Sequence, residues 1–282
     1  MNERSDIMTI DEFREELKEE IMSDHSKKEI KRTDTIKVGT LNVQNRTKDI
    51  NSAKALATHI ENTGYYFLGT QELTRVFSNE LINNLKKYKL YGKRRYGNSK
   101  LLKHVKFIDD INESNAIITK ETVVNVETDF LPWIAHNPKD LFESVNSGSI
   151  VPRIMTIIDI EDEDYGKIYA VNTHLDYQVK NIQINQMKNI YRILKTLRKR
   201  YPIVLTGDFN IGIKDEHFNS FIKDLDTLGL KRVPINDRLN ETAINHIFIP
   251  KNWIIERSGL IDDSNLSTLT DNKGIYADIR IK

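Results

Sequence analysis

Four short stretches share one design, an apolar run that ends in polar residues: "TLNVQN" (40–45), "LGTQE" (68–72), "VNTHLD" (171–176) and "LTGDFN" (205–210). They place Asn42, Glu72, His174, Asp208 and Asn210 at strand ends, where residues distant in sequence can be held on one rim of a sheet. Amide and carboxylate oxygens suit a hard divalent cation, Mg2+ or Mn2+, which keeps several waters and takes one or two carboxylates. Asn42, Glu72 and, near the C-terminus, Asp271 would serve as such ligands. Asp208 would orient or deprotonate a water, Asn210 would hold that water in line, and His174 would donate to a phosphate as its charge grows. Each piece alone has an ordinary reading. "GDFN" is turn-like, a lone histidine is more often structural, and Glu72 suits the start of a following helix. Their combination carries the weight.

Those residues need a sheet scaffold. "TIKVGTLNVQ", "YYFLGTQE", "SNAIITK", "RIMTIIDIE", "KIYAVNTHLD", "PIVLTGDFN", "AINHIFI" and the closing "GIYADIRI" read as strands, and "NSAKALATHIEN" and "INQMKNIYRILKTLRKRY" as helices. Many strands with interspersed helices favour an α/β or α+β sandwich with helices outside. Residues 1–34 read separately from residues 35–282. Thr9 and Glu12 have capping-box spacing, and Ile10, Phe13, Leu17 and Ile21 form an apolar stripe for the domain or a protein partner, followed by a polar linker.

The 282 residues carry a net charge of +1, so global charge selects no partner. With no cysteine, disulfides, zinc–thiolate sites and thiol nucleophiles are excluded. No apolar run is long enough for a membrane span, and the charged N-terminus lacks a signal-peptide core, so a cytoplasmic setting is expected with no membrane partner.

In order and spacing, these stretches, together with "ESNAIITK" (113–120), "INHIFIP" (244–250) and "LTDNKGIYADI" (269–279), resemble the endonuclease/exonuclease/phosphatase superfamily, the DNase I-like fold. The resemblance covers about residues 35–282. It implies a four-layer sandwich of two packed mixed β-sheets flanked by helices, with the active site at one end and hydrolysis of phosphodiesters or phosphomonoesters, usually with Mg2+ or Mn2+. By motif, Asn42 and Glu72 resemble the metal-site residues with Asp271 close by. His174 resembles the phosphate-contacting histidine, and Asp208 with Asn210 the pair that positions or activates water. Arg153 in "VPRIMT" sits where some members place an arginine.

The pattern breaks at one pair. The family usually ends in Ser-Asp-His, with that histidine paired to an aspartate from Ile-Asp-x-Ile; here Thr270-Asp271-Asn272 and Ile244-Asn245-His246-Ile247 stand instead. Asn245 and Asn272 thus replace both halves of the Asp–His dyad, and neither amide titrates near neutrality. An aspartate orients its histidine and stabilises the imidazolium, so the loss of one partner removes the purpose of the other. A weakened or altered enzyme, a ligand-binding dead scaffold and a deliberately silenced chain all fit. Period-two alternation aims His246 away from Asn245, against a role as substitute base.

Residues 86–107, "KKYKLYGKRRYGNSKLLKHVKF", contain no acidic residue, and Tyr88, Tyr91 and Tyr96 lie among the basic side chains. Such an insertion suits a nucleic-acid backbone with bases on aromatic rings, with Lys93, Arg94, Arg95, Tyr96 and Lys100 as candidate contacts. The expectation is a divalent-metal-dependent phosphodiesterase of nuclease type. The alternatives are a dead nuclease scaffold that binds nucleic acid or protein, and a phosphomonoesterase or nucleotide hydrolase.

Overall fold

The computed structural model describes residues 35–44, 50–96, 112–120, 149, 151–235, 238–266 and 273–282; the N-terminal segment 1–34, Lys100, Asp271 and Asn272 lie outside the described residues. In chain order the elements are β1 (Thr35–Asn42), α1 (Ile50–Thr63), β2 (Phe67–Leu73), α2 (Arg75–Asn84), β3 (Tyr88–Tyr91), β4 (Ser114–Lys120), β5 (Met155–Asp162) and β6 (Gly166–His174). They continue with α3 (Lys180–Leu197), β7 (Ile203–Asp208), α4 (Glu216–Thr227), β8 (Leu230–Arg232), β9 (Asn245–Pro250), β10 (Ile254–Leu260) and β11 (Ile275–Arg280). One sheet has the order β10-β11-β1-β2-β4-β3, the other β5-β6-β7-β9-β8. Both are mixed: β1 runs parallel to β2 and antiparallel to β11, while β6 runs parallel to β7 and antiparallel to β5.

Strand alternation explains the layers. Ile36, Val38, Phe67, Ile117, Ala277 and Ile279 of the first sheet meet Ile158, Ile168, Ala170, Val204, Ile247 and Ile249 of the second in one cluster between the sheets. The opposite parity faces outward onto helices. Leu41, Leu68 and Ile118 pack with Leu56, Ile60 and Phe77 of α1 and α2. Tyr169, Val171, Leu205 and Phe248 pack with Ile190, Leu194, Phe218 and Phe221 of α3 and α4. The result is the expected four-layer sandwich. Among the described residues, no helix is long and apolar enough to cross a membrane.

At one end the apolar inter-sheet layer gives way to polar side chains of the same parity. Gln71 Nε2 donates to Thr40 Oγ1 (2.9 Å) and Asn172 Oδ1 (2.6 Å), and Asn172 Nδ2 donates to the carbonyls of Thr70 and Ala116 (2.9 Å each). Thr206 Oγ1 closes the set on Asn172 Oδ1 at 3.2 Å. Asn172 and Gln71, which share strand ends with the candidate site residues, are thus wholly buried ties between the sheets. Gly69 lies under this network. A Cβ there would sit 2.4 Å from Thr206 Oγ1 and 2.6 Å from Asn172 Oδ1.

The basic stretch is only partly the insertion its composition implies. Its start forms β3, an edge strand paired antiparallel to β4, and Tyr88 is buried with its hydroxyl on the Tyr65 carbonyl at 3.0 Å. The edge strands β8 and β10 carry few apolar positions and give little alternation to read. Their neighbours β9 and β11 supply the pairing that forms them.

Candidate active site

Beyond the Thr40–Gln71–Asn172 tie, the inter-sheet parity continues to Asn42, His174, Asp208 and Asn245, each at most 6% exposed. β6 and β7 are parallel with His174 opposite Asp208, and β9 brings Asn245 opposite Asp208 from the other side. Backbone pairing alone therefore gathers three candidate residues on adjacent strands. Asn42 arrives from the facing sheet. Its Nδ2 donates to Glu72 Oε1 (2.9 Å) and to Asp208 Oδ2 (3.0 Å), while its Oδ1 accepts from the Gln44 N–H (3.0 Å). One amide thus clamps two carboxylates from different sheets.

Glu72 breaks the alternation of β2. Its φ is +62°, at the register shift between Thr70 and Leu73, and this turns the carboxylate back towards Asn42. The helix-start reading of Glu72 gives way here to Thr74, which caps α2 by accepting from the Phe77 N–H. Gln44 (φ +47°) and Asn210 (φ +52°) are the only other non-glycine residues with positive φ among those described. All three lie at or just beyond the strand ends of this rim, Glu72 at the irregular end of β2, where left-handed backbone redirects side chains. Asn210 donates its backbone N–H to Asp208 Oδ1 (2.8 Å) and its Nδ2 to the Leu175 carbonyl (2.9 Å).

Burial pushes the Asp208 carboxyl up to about 6; the bonds from Asn42 and Asn210 oppose the rise and the charge of Glu72 adds to it. His174 is pushed the other way. Burial, then the charges of Arg153 and Arg95, hold it well below the usual histidine range, so it is neutral. Arg153 Nη1 lies 3.2 Å from His174 Nδ1. A guanidinium only donates, so Nδ1 is the acceptor and the ring proton sits on Nε2. That N–H lies 3.9 Å from Glu72 Oε1, inside the rim. Arg153, which the sequence marks only through its place in "VPRIMT", therefore sets the tautomer of the candidate phosphate donor. Arg95, one of the candidate nucleic-acid contacts, is buried and ion-paired with Glu113. Lys93 is exposed, Arg94 is half-buried, and Tyr96, also half-buried, donates its backbone N–H to Asn112 Oδ1 at 2.9 Å.

Asn245 donates Nδ2 to the carbonyl of Lys273 (3.3 Å), and its buried Oδ1 has no hydrogen-bond partner among the described residues. The backbone directly after Asn272 thus runs beside Asn245, while Asn272 itself lies outside the described residues. His246 points to the other face. Its Nδ1 accepts from Arg232 Nε (3.0 Å), its Nε2 donates to the Ile211 carbonyl (2.9 Å), and its ring lies 4.5 Å from that of Phe218. Burial and then the charge of Arg232 push it down to about 3, so it is a neutral core residue turned away from the site.

The sequence matches no protein-family profile and no curated protein. Solved structures do match. An endonuclease/exonuclease/phosphatase family protein from Bacteroides thetaiotaomicron superposes with TM-score 0.73 at 18% identity over 89% of this chain and 100% of its own. A mannosyl-6-phosphatase from the same organism gives 0.71 at 18% identity, covering 87% of this chain and 100% of that one. TDP2 of D. rerio, complexed with a single-strand DNA product, gives 0.61 at 13% identity over 88% and 99%. The chain has the DNase I-like fold. The likeness is one of architecture.

Within this DNase I-like fold, the donor set suits a hard cation. Two carboxylates share one amide, and the charge of Glu72 already raises the pKa of Asp208, a repulsion that a cation would relieve. Among the described residues no three His, Asp or Glu form a closed metal cage. The partly exposed Glu72 carboxylate is a ligand type for Mg2+ or Mn2+ rather than zinc, while Asn42 turns its NH2 to both carboxylates and its Oδ1 to the Gln44 N–H, so its oxygen would reach a cation only after the amide turned over.

Proposed function

We propose that this chain is a divalent-metal-dependent phosphodiesterase of nuclease type acting on nucleic acid, with an altered acid–base pair. The observation that carries the reading is the Asn42 clamp on Glu72 and Asp208, with the Nε2–H of neutral His174 beside it. Glu72, Asn42 with its amide turned over, and Asp271 near the C-terminus of the sequence would hold Mg2+ or Mn2+, which supplies charge neutralisation at phosphate oxygens. Asp208 is a carboxylate above about pH 6, a base of useful strength near neutrality. Asn210 fixes its Oδ1, so the free lone pairs of the carboxylate are aimed by the loop itself. His174 donates Nε2–H to a phosphate oxygen without changing charge, and Arg153 beside it favours the anion. With asparagine at 245 and 272, no imidazole of the family dyad is there to protonate the leaving oxygen.

Nucleic acid is favoured by the basic stretch, whose Lys93 is exposed and whose Arg95 charge is felt at His174 and Arg153. The mannosyl-6-phosphatase neighbour supports a second reading, a phosphomonoesterase.

The test is a cycle of Asn245→Asp, Asn272→His and the pair together, assayed with Mg2+ or Mn2+ on labelled single-stranded DNA, RNA and a hexose 6-phosphate. The pair should cleave nucleic acid about 10²–10⁴-fold faster than the parent chain. Asn245→Asp alone should lose stability, because a carboxylate would then face the Lys273 carbonyl. Oligonucleotide binding by every form with cleavage by none would assign a binding scaffold. Cleavage of the hexose phosphate alone would assign the phosphatase.

A further inference from the structure

Asp176, two residues beyond His174, is buried and pins the turn that follows. Its Oδ1 accepts from the backbone N–H groups of Gln178 (2.8 Å) and Val179 (3.1 Å), and its Oδ2 accepts from Ser149 Oγ (2.5 Å). Its own backbone N–H and carbonyl bond to Gln186 Oε1 (2.8 Å) and Gln183 Nε2 (2.6 Å) of α3. On this fixed turn Tyr177 is 61% exposed and Val179 42%, two of the five large hydrophobic side chains that the described residues expose. The Tyr177 hydroxyl accepts from Gln178 Nε2 at 2.6 Å, and the Arg153 guanidinium lies 5.9 Å from the ring centroid. The same guanidinium bonds His174.

A large ring held in water on an immobilised turn gains nothing for the fold, since it buries little. It gains much for a ligand, because its position is set before binding. It stands three positions beyond His174, at most about 11 Å of backbone, and the Arg153 guanidinium lies beside both, so a group attached to a phosphate at His174 and Arg153 would have Tyr177 within reach. We infer that Tyr177 is the stacking platform for the nucleobase of the nucleotide whose phosphate sits at His174. The inference rests on the nucleic-acid reading above and adds a base-contacting residue to it. Stacking tolerates every base because each has a π-face, so Tyr177 would supply affinity and placement without sequence preference. The adjoining guanidinium would meet the phosphate on one side and the ring on the other.

The test is equilibrium binding by fluorescence anisotropy of a short labelled single-stranded oligonucleotide and of the same backbone with abasic residues, in Mg2+. The parent chain should prefer the base-bearing strand. Tyr177→Ala should weaken that strand by about 5–100-fold, the range for loss of one stacked base, and leave the abasic strand within about twofold. Tyr177→Trp should retain the preference. Equal weakening of both strands, or no change in either, overturns the platform while leaving the nucleic-acid reading standing. Failure of the parent chain to bind either strand overturns that reading and the platform with it. Tyr177-dependent binding of a hexose phosphate, with no oligonucleotide bound, assigns the ring to a sugar and overturns the nucleobase.

Discussion

Replacing Asp208 by asparagine should stabilise the protein above pH 7 while abolishing any hydrolysis. Asp208 is 1% exposed, and burial raises its carboxyl from 3.8 to about 6. A group whose folded pKa is raised contributes stability that is complete below its unfolded pKa and lost as pH climbs to the folded one. The window is therefore pH 4 to 6. About two pH units at roughly 1.4 kcal/mol each give a cost of about 3 kcal/mol for the ionised side chain. Asparagine avoids that cost, but its NH2 must face either Asn42 Nδ2 or the Asn210 N–H, both donors. One lost hydrogen bond forfeits about 1 kcal/mol. The variant should then be about 1 kcal/mol less stable than the parent at pH 4 and about 2 kcal/mol more stable at pH 7 to 8. Urea unfolding of both chains across this range, in chelator so that no cation neutralises the carboxylate, reads the difference directly. A difference that stays constant between pH 4 and 8 refutes the argument, because the carboxylate would then not be costly in the fold. The stabilising sign at neutral pH is itself informative, since a carboxylate that weakens its own protein is one kept for chemistry.

His246 has the opposite sign. Its folded pKa is pushed down to about 3, so stability falls as pH drops below the unfolded histidine value near 6.5; His246→Gln should flatten the stability–pH slope between pH 6 and 4 by up to about 1.4 kcal/mol per unit, read by urea unfolding at several pH values. Gly69→Ala would drive a methyl into Thr206 Oγ1 and Asn172 Oδ1, and should cost about 1–3 kcal/mol in the denaturant midpoint; an unchanged midpoint would mean that the sheets separate there without loss.

Strand parity is what made the architecture legible. Ile36 and Val38, Val204, and Ile275, Ala277 and Ile279 alternate in sequence, and the same alternation assigns each to the layer between the sheets. The polar residues that end those runs keep the parity, so Asn42, His174 and Asp208 converge because their strands are packed face to face or side by side. Parity also turned His246 away from Asn245, onto Phe218 and the Ile211 carbonyl. Glu72 could be named from "LGTQE", but its approach to Asn42 depends on a left-handed backbone that no local pattern specifies.

The sequence by itself determined the eight strands with apolar runs or alternation, the helices α1 and α3, and the residue types on the rim, because these follow from side-chain chemistry at a fixed spacing; the edge strands β3, β8 and β10 depend on their neighbours. Tertiary structure alone decided which polar groups meet and in what protonation state. Asn172 and Gln71 became ties between sheets because the facing strand offered partners. Arg95 turned inward to Glu113. Arg153 fixed the proton of His174 on Nε2, and burial moved Asp208 and His174 in opposite directions. Desolvation and cross-strand bonds depend on what surrounds a residue from distant parts of the chain, and a single line of sequence does not contain that neighbourhood.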